Sequence, residues 1–437
     1  MGVNLTLHSG TSAEKNSAVS TKDTPVYRLP GINLNRHTTI TMDEYTASKH
    51  VLAIGGTGSG KTNLMFRFVD QTIKRLTDDD VVIIFDSKGD YYKRFHDKCD
   101  AVVLGNSAEY VAKSVRWNIF DEVTADGASR SSRRLNAMEI ARSLFAERMK
   151  HTTNTFFPSA AQDVFSSLII AILQDAEVDL NTRNNLFNKA LIHYFQTSTA
   201  EDLCVQLAPY EELRAASSYI EGGSEQAQGV ISEMYTILRD LFIGVFAEKG
   251  NFSMRNFVRK RGKKVLFLEY DITIGSVLTP VYRLLIDLAL KEALSQHNTG
   301  GNVYFFFDEF KLVPYLQHVD DGVNFGRSKG VKIFAGLQSI EQLYDLYGQS
   351  RGRSIAAGFS TVFAFHANDE ATMKYVSGLY GANLQVGEVV GRNNAVTAAL
   401  HNGKVVEDWV MSKLDPGQAV VCLPSLPPFV MQFDEFS

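Results

Sequence analysis

The sequence predicts an α/β fold, a mainly parallel sheet with helices on both faces and a separate all-α domain inserted into it. Three observations lead there. Short runs in which nearly every position is apolar recur along the chain, as strands buried on both faces require. Helix-length segments alternate with them. Between Asp121 and Lys249 strand-like runs become scarce while apolar residues recur at helical spacing.

Residues 1–24 are polar, with no apolar core for a secretory signal, and are expected to be disordered. "YRLPGINLNRHTTITMDEY" then mixes Gly, Pro and alternating apolar residues, which predicts short strands. Val51–Ile54 reads as a buried strand, Asn63–Leu76 as a helix, and Val81–Phe85 and Ala101–Gly105 as two further strands. In the helical region Val164, Leu168 and Ile172 share one face, as do Val230, Met234, Ile237 and Leu241; Thr199 with Asp202 forms a helix-starting pair. Strand texture returns at Val265–Leu268, followed by a helix Val281–Leu294 and the strands within "NVYFFFDEF", "VKIFAGLQ" and "TVFAFHA". The implied domains are 25–120 with 250–437 for the α/β part and 121–249 for the helical part.

With 437 residues there is room for two or three domains, and 45% apolar with 21% charged residues is a globular composition. The net charge of −5 excludes a global basic field, though not a local basic channel. Cys99, Cys204 and Cys422 lie far apart, which suits a reducing compartment, and the histidines show no metal-ligand spacing. No apolar run reaches the ~18 residues of a membrane span; Val164–Leu173 comes nearest.

"HVLAIGGTGSGKTNLMF" carries the chemistry. Gly55, Gly56, Thr57, Gly58, Ser59, Gly60, Lys61 and Thr62 fit G-x-x-x-x-G-K-[ST] after a strand and before a helix. The glycines let backbone N–H groups turn toward phosphate oxygens, and the helix N-terminus adds partial positive charge. Lys61 is expected at the β/γ-phosphates of ATP and Thr62 on Mg2+. Asp308 and Glu309 follow the buried strand of "VYFFFDEF". Asp308 is the expected second Mg2+ residue, and Glu309 is placed to polarise the attacking water. Gln338, after the next strand, could bond both a γ-phosphate oxygen and that water. Arg327, before that strand, is a candidate arginine finger, because a guanidinium meets several phosphate oxygens in fixed planar geometry.

Together with "FDSKGDYY", "RWNIF", "GRSKGVKIFAGLQSIEQLYDLYG" and "STVFAFHANDEATMKYVSGLYG", these pieces in this order resemble the type IV secretion coupling proteins, the TraG/TraD-type motors of conjugation. Ser87 and Asp90 depart from the Asp-Pro-Lys-Gly-Glu usual there, and Ile119 stands where an Asn-Pro pair is usual. The resemblance implies a RecA-like nucleotide-binding domain carrying an all-α domain, and a homo-hexameric ring with ATP at subunit interfaces and DNA in the channel. It further implies delivery of a relaxase–DNA complex to a secretion channel and contact with the channel ATPases. Family members usually begin with transmembrane helices. Either that part is missing from this sequence, or a membrane partner recruits a soluble motor to the inner face of the membrane. For DNA contact the candidates are Arg255, Arg259, Lys260, Arg261, Lys263 and Lys264, and the His151–Phe157 segment for base stacking. Two other readings stay open: a HerA/FtsK-like DNA pump, and a substrate receptor whose ATP use controls assembly.

Overall fold

The computed structural model describes residues 12–150, 152–295, 300–313, 315–390 and 396–437, so His151 of the stacking candidate lies outside it. They fall into two compact units. The first comprises the described residues of Met1–Thr77, Gly300–Tyr315 and Val319–Ser437; the second those of Asp78–Thr299 and Leu316–His318.

In the first unit the strands run in the order Arg36–Asp43, Pro25–Asn33, Phe429–Phe433, Gln418–Cys422, Thr361–Phe365, Val51–Ile54, Val331–Leu337, Val303–Phe307. The last four are mutually parallel, as their apolar runs predict. The others add an antiparallel edge. That edge begins as a hairpin whose two-residue turn, Leu34-Asn35, has φ of 47° and 62°, the left-handed pair that matches strand twist. Helix Lys61–Arg75 lays Leu64, Phe68, Val69 and Ile73 on the sheet, where the Phe68 ring meets Tyr27, Phe334 and Phe363.

Residues 12–24 correct the expected disorder. Ala13 and Asn16 are buried; the Asn16 side chain donates to the Pro428 carbonyl at 2.6 Å, and Asn33 accepts from the Ala18 N–H at 2.9 Å. Short polar side chains supply the bonds that fix a segment with little apolar surface. A further hairpin, Ala382–Val390 with Val396–Lys404, pairs Ala382 with Lys404 and Val390 with Val396.

In the second unit the strands Val81–Asp86, Lys264–Glu269 and Asp100–Gly105 are parallel, with Lys264–Glu269 between the other two. Between Gly105 and Lys264 the described residues form helices and turns, with one isolated bridge, Trp117 to Phe252. Helices Arg130–Lys150, Phe156–Val178 and Glu225–Leu241 are the longest of this stretch. Their core includes the stacked rings of Phe165 and Phe195, with Phe145 beside them. Thr199 and Asp202 bond reciprocally as a capping box. Helix Phe156–Val178 is long and apolar enough to cross a membrane, which a run counted only from Val164 to Leu173 understates. Its apolar window is 67% buried inside the fold.

The helix predicted from Val281 begins at Ile272 and continues through Pro280. Arg283 on this helix, 2% exposed, donates to Glu147 and to the Ser143 carbonyl of helix Arg130–Lys150. Such ties group the three strands with the helices, so the compact units divide the chain elsewhere than at 120 and 250.

Candidate active site

The phosphate loop leaves strand Val51–Ile54 pinned on both sides. The Gly55 N–H donates to the Leu337 carbonyl at 3.0 Å and the Gly56 N–H to the His366 carbonyl at 2.7 Å. Further on, the Ser59 carbonyl accepts from the Gly417 N–H at 2.8 Å. Gly60 starts the helix with φ of 115°, and a Cβ there would stand 3.0 Å from the Gly417 Cα. Both the torsion and the space require glycine. The helix therefore begins at Lys61, two residues before the predicted Asn63.

Lys61 is 7% exposed, and its Nζ donates to the Gly55 and Gly56 carbonyls at 2.7 and 2.9 Å. The ammonium thus lies across the loop it belongs to, at a helix N-terminus, where a phosphate gains most. The Thr62 hydroxyl donates to Asp308 at 2.9 Å to Oδ2 and 3.1 Å to Oδ1. These are paired hard oxygen donors of the kind Mg2+ takes, one hydroxyl and one carboxylate. Among the described residues no group of three His, Cys, Asp or Glu forms an alternative metal cluster. The Asp308 backbone can sit close to the adjacent strand because residue 336 is glycine; a Cβ there would overlap the Asp308 carbonyl oxygen.

Gln338 follows strand Val331–Leu337, and its Nε2 donates to Glu309 Oε1 at 3.0 Å. Ser339 donates to Asp369 at 2.8 Å, which couples this edge to the N-cap of helix Glu370–Gly378. Lys61, Thr62, Asp308, Glu309 and Gln338 thus gather at the C-terminal ends of three neighbouring parallel strands, where ligands bind in open α/β sheets. The sequence reading missed the His366 carbonyl and Gly417. The turn signal "DPG" at 415–417 was available for the second; a backbone acceptor leaves no signature for the first.

Arg327 is not brought to this group. It lies exposed in the short turn of helix Gly326–Lys329 ahead of Val331, at the other end of a strand spanning about 20 Å. Its guanidinium rests 4.4 Å from the Tyr45 ring centroid, and Lys49 Nζ lies 4.1 Å from the same centroid. Hydrogen bonding from Lys49, with the charges of Lys49 and Arg327, lowers the Tyr45 phenol below its usual pKa.

The basic run needs correction. Arg255, 4% exposed, pairs with Glu292 at 3.2 Å and Asp126 at 2.8 Å. Arg259 pairs with Glu292 at 2.6 Å and with Asp126. Arg261 is buried and donates to the Asp79 carbonyl. These three guanidiniums serve folded structure. Lys260, Lys263 and Lys264 face solvent and are the remaining DNA-contact candidates.

A family model for the type IV secretion-system coupling protein DNA-binding domain matches residues 34–412. The chain belongs to this family. Coupling protein TraD of Escherichia coli K12 is 23% identical over 341 residues, 75% of this chain and 43% of TraD. The type IV secretion system-coupling protein VirD4 of Bartonella quintana is 22% identical over 287 residues, 64% of this chain and 44% of VirD4. The chain thus spans less than half the length of these relatives. Among solved structures, the unbound conjugative coupling protein TrwBdeltaN70 superposes with a TM-score of 0.70 at 20% identity, covering 91% of this chain and 87% of that one. TrwB with ADP and Mg2+ gives 0.67 at 21% identity, covering 91% and 88%. The α/β P-loop fold with its helical insertion is therefore that of the coupling proteins.

Proposed function

We propose that this chain is an ATPase that drives DNA through a homo-hexameric ring, delivering a relaxase–DNA substrate to a type IV secretion channel. The observation that carries the ATPase part is the convergence of Lys61, Thr62, Asp308, Glu309 and Gln338 on one sheet edge. Family membership supports the rest; solved TrwB complexes with a non-hydrolysable ATP analogue and with ADP and Mg2+ support nucleotide and Mg2+ binding. Loop N–H groups and Lys61 would hold the β/γ-phosphates, and Thr62 and Asp308 would hold Mg2+, which supplies charge neutralisation there. Glu309 takes the proton of the attacking water. Gln338, bonded to Glu309, orients the carboxylate and senses the γ-phosphate through the same amide. Arg327, remote from its own site, reaches the nucleotide of the next protomer, so turnover depends on assembly. Channel ATPases are the partners this role requires, with the motor held at the inner face of the membrane by its own or a partner's anchor.

The test is ATP turnover by assembled rings with and without DNA, beside streptavidin displacement from end-labelled DNA. DNA-stimulated turnover with displacement is the expected result. Turnover without displacement leaves the receptor reading in its place.

A further inference from the structure

A polar cavity opens in the other compact unit, at the C-terminal ends of its three parallel strands. The last residues of those strands are in register: Asp86 faces Glu269, and Glu269 faces Gly105. The cavity is about 250 Å³, and Ser107, Tyr110, Glu269 and Tyr270 are among the residues that line it. That is below the ~300 Å³ at which small-molecule sites usually begin, and suits the head of one side chain.

The two carboxyl groups here are unlike. Asp86 is fully engaged, accepting the N–H groups of Lys88, Gly89, Tyr91 and Tyr92. It caps its own turn and has no capacity left for a ligand. Glu269 is 4% exposed, Tyr110 5%; Glu269 Oε1 and the Tyr110 hydroxyl have only a long, poorly aligned contact with each other, and the Ser107 hydroxyl is buried without a hydrogen-bond partner. Leaving buried polar atoms poorly satisfied is costly, and these three residues line one cavity. Space for the Glu269 side chain comes from Gly105, where a Cβ would lie 2.6 Å from that of Glu269. The Tyr270 ring is held in turn against Gly275, where a Cβ would meet it at 2.5 Å.

We propose that this cavity receives a guanidinium group, bound by the Glu269 carboxylate and flanked by the Tyr110 and Tyr270 rings. A guanidinium brings several N–H donors in one plane, which matches a weakly engaged carboxylate, and its faces stack on aromatic rings. An anion is disfavoured by Asp86 directly behind Glu269. The group can belong to a free alkylguanidine or to an arginine on a polypeptide.

Proton linkage gives the test its signature. Burial, and then the Asp86 charge, push the Glu269 carboxyl up to about 9. Glu109 adds to this, while the Tyr110 hydroxyl's contact with the carboxyl and the Lys113 charge oppose it; Lys88 and Asp271 stand among the lining residues, and Lys93 pairs with Glu109 at 3.6 Å. Empty, the site is therefore protonated at neutral pH, and binding a cation must release that proton. Affinity should rise about tenfold per pH unit below that value, since the guanidinium itself stays charged throughout.

Calorimetric titration of the intact chain with methylguanidine at pH 6, 7 and 8 reads this directly. A millimolar dissociation constant is expected at pH 7, tightening roughly tenfold at pH 8 with release of one proton. Glu269→Gln, which keeps the shape, should abolish the slope, and Tyr110→Phe should weaken binding while keeping it. No binding by the wild type, or binding whose pH slope is flat or survives Glu269→Gln, overturns the assignment. Because the wild-type slope alone is decisive, a variant that fails to fold does not rescue the idea. Agmatine and acetyl-Gly-Arg-Gly-amide then separate the sources. A site that takes the peptide serves a polypeptide arginine, and one that takes agmatine but excludes the peptide serves a free amine.

Discussion

His50 stands one residue before the strand that delivers the phosphate loop, buried, with φ of 59°, and its Nδ1 accepts the Ile333 N–H at 3.0 Å. Burial lowers its pKa to about 4. As pH falls through about 6.5 the unfolded chain takes up a proton that the folded chain refuses. The stability contributed by neutral His50 is thus complete above that value and is lost progressively toward pH 4. His50→Asn, whose amide oxygen can accept and whose backbone tolerates a left-handed turn, should flatten the melting-temperature profile across that window; an unchanged profile would count against this account. At the site, Lys61→Ala should abolish ATP turnover, and Glu309→Gln should bind ATP and stall, measured by nucleotide retention on rings. Normal turnover in either removes that residue from its role. These side chains were legible in the sequence because their chemistry follows from residue type and strand context. His50 was not, because its partner is a backbone N–H far along the chain.

The close approach of Asp308 to strand Val331–Leu337 makes an element-level prediction. Gly336→Ala should push the two strands apart, costing about 1–3 kcal/mol in denaturant unfolding and weakening Mg2+-dependent nucleotide binding through Asp308. A stable variant with unaltered Mg2+ titration would show that the contact relaxes freely. The buried parallel strands were read to within a residue or two, since continuous apolar runs admit few alternatives. Helix Ile272–Leu294 was read short because Pro280 resembles a boundary. The helix tolerates it, and the neighbouring Thr279 hydroxyl donates to the Gly275 carbonyl at 3.0 Å. "RWNIF" is a structural joint: Trp117 donates to buried Glu122 at 3.1 Å, and Asn118 caps helix Ile119–Val123. The basic run misled for the opposite reason. Charge density is visible in sequence, whereas Asp126 and Glu292, which consume it, are distant in the chain.

For the whole molecule the proposed trans action of Arg327 predicts complementation. Lys61→Ala and Arg327→Ala chains should each be inactive, and co-assembled rings should partly recover turnover where an intact loop meets an intact finger. No recovery in verified mixed rings, or full activity of Arg327→Ala alone, removes the finger. DNA binding should weaken steeply with salt as phosphate contacts release counterions. Replacing Lys260, Lys263 and Lys264 with Ser should make that slope shallower, and an identical slope would return these lysines to plain surface. The proposed ring rests on family resemblance alone, since one chain's sequence does not display which of its edges meets a copy of itself.

Within the sheet, the hairpin Pro25–Asp43 joins its neighbours through Phe429–Phe433. A ribosome releases Phe429–Phe433 long after the hairpin. The hairpin must therefore wait, with its inner edge open, until that strand has emerged. During that interval its open inner edge can pair with another nascent chain, so slowed elongation between the two segments should lower the yield of native protein more than slowing after Phe433.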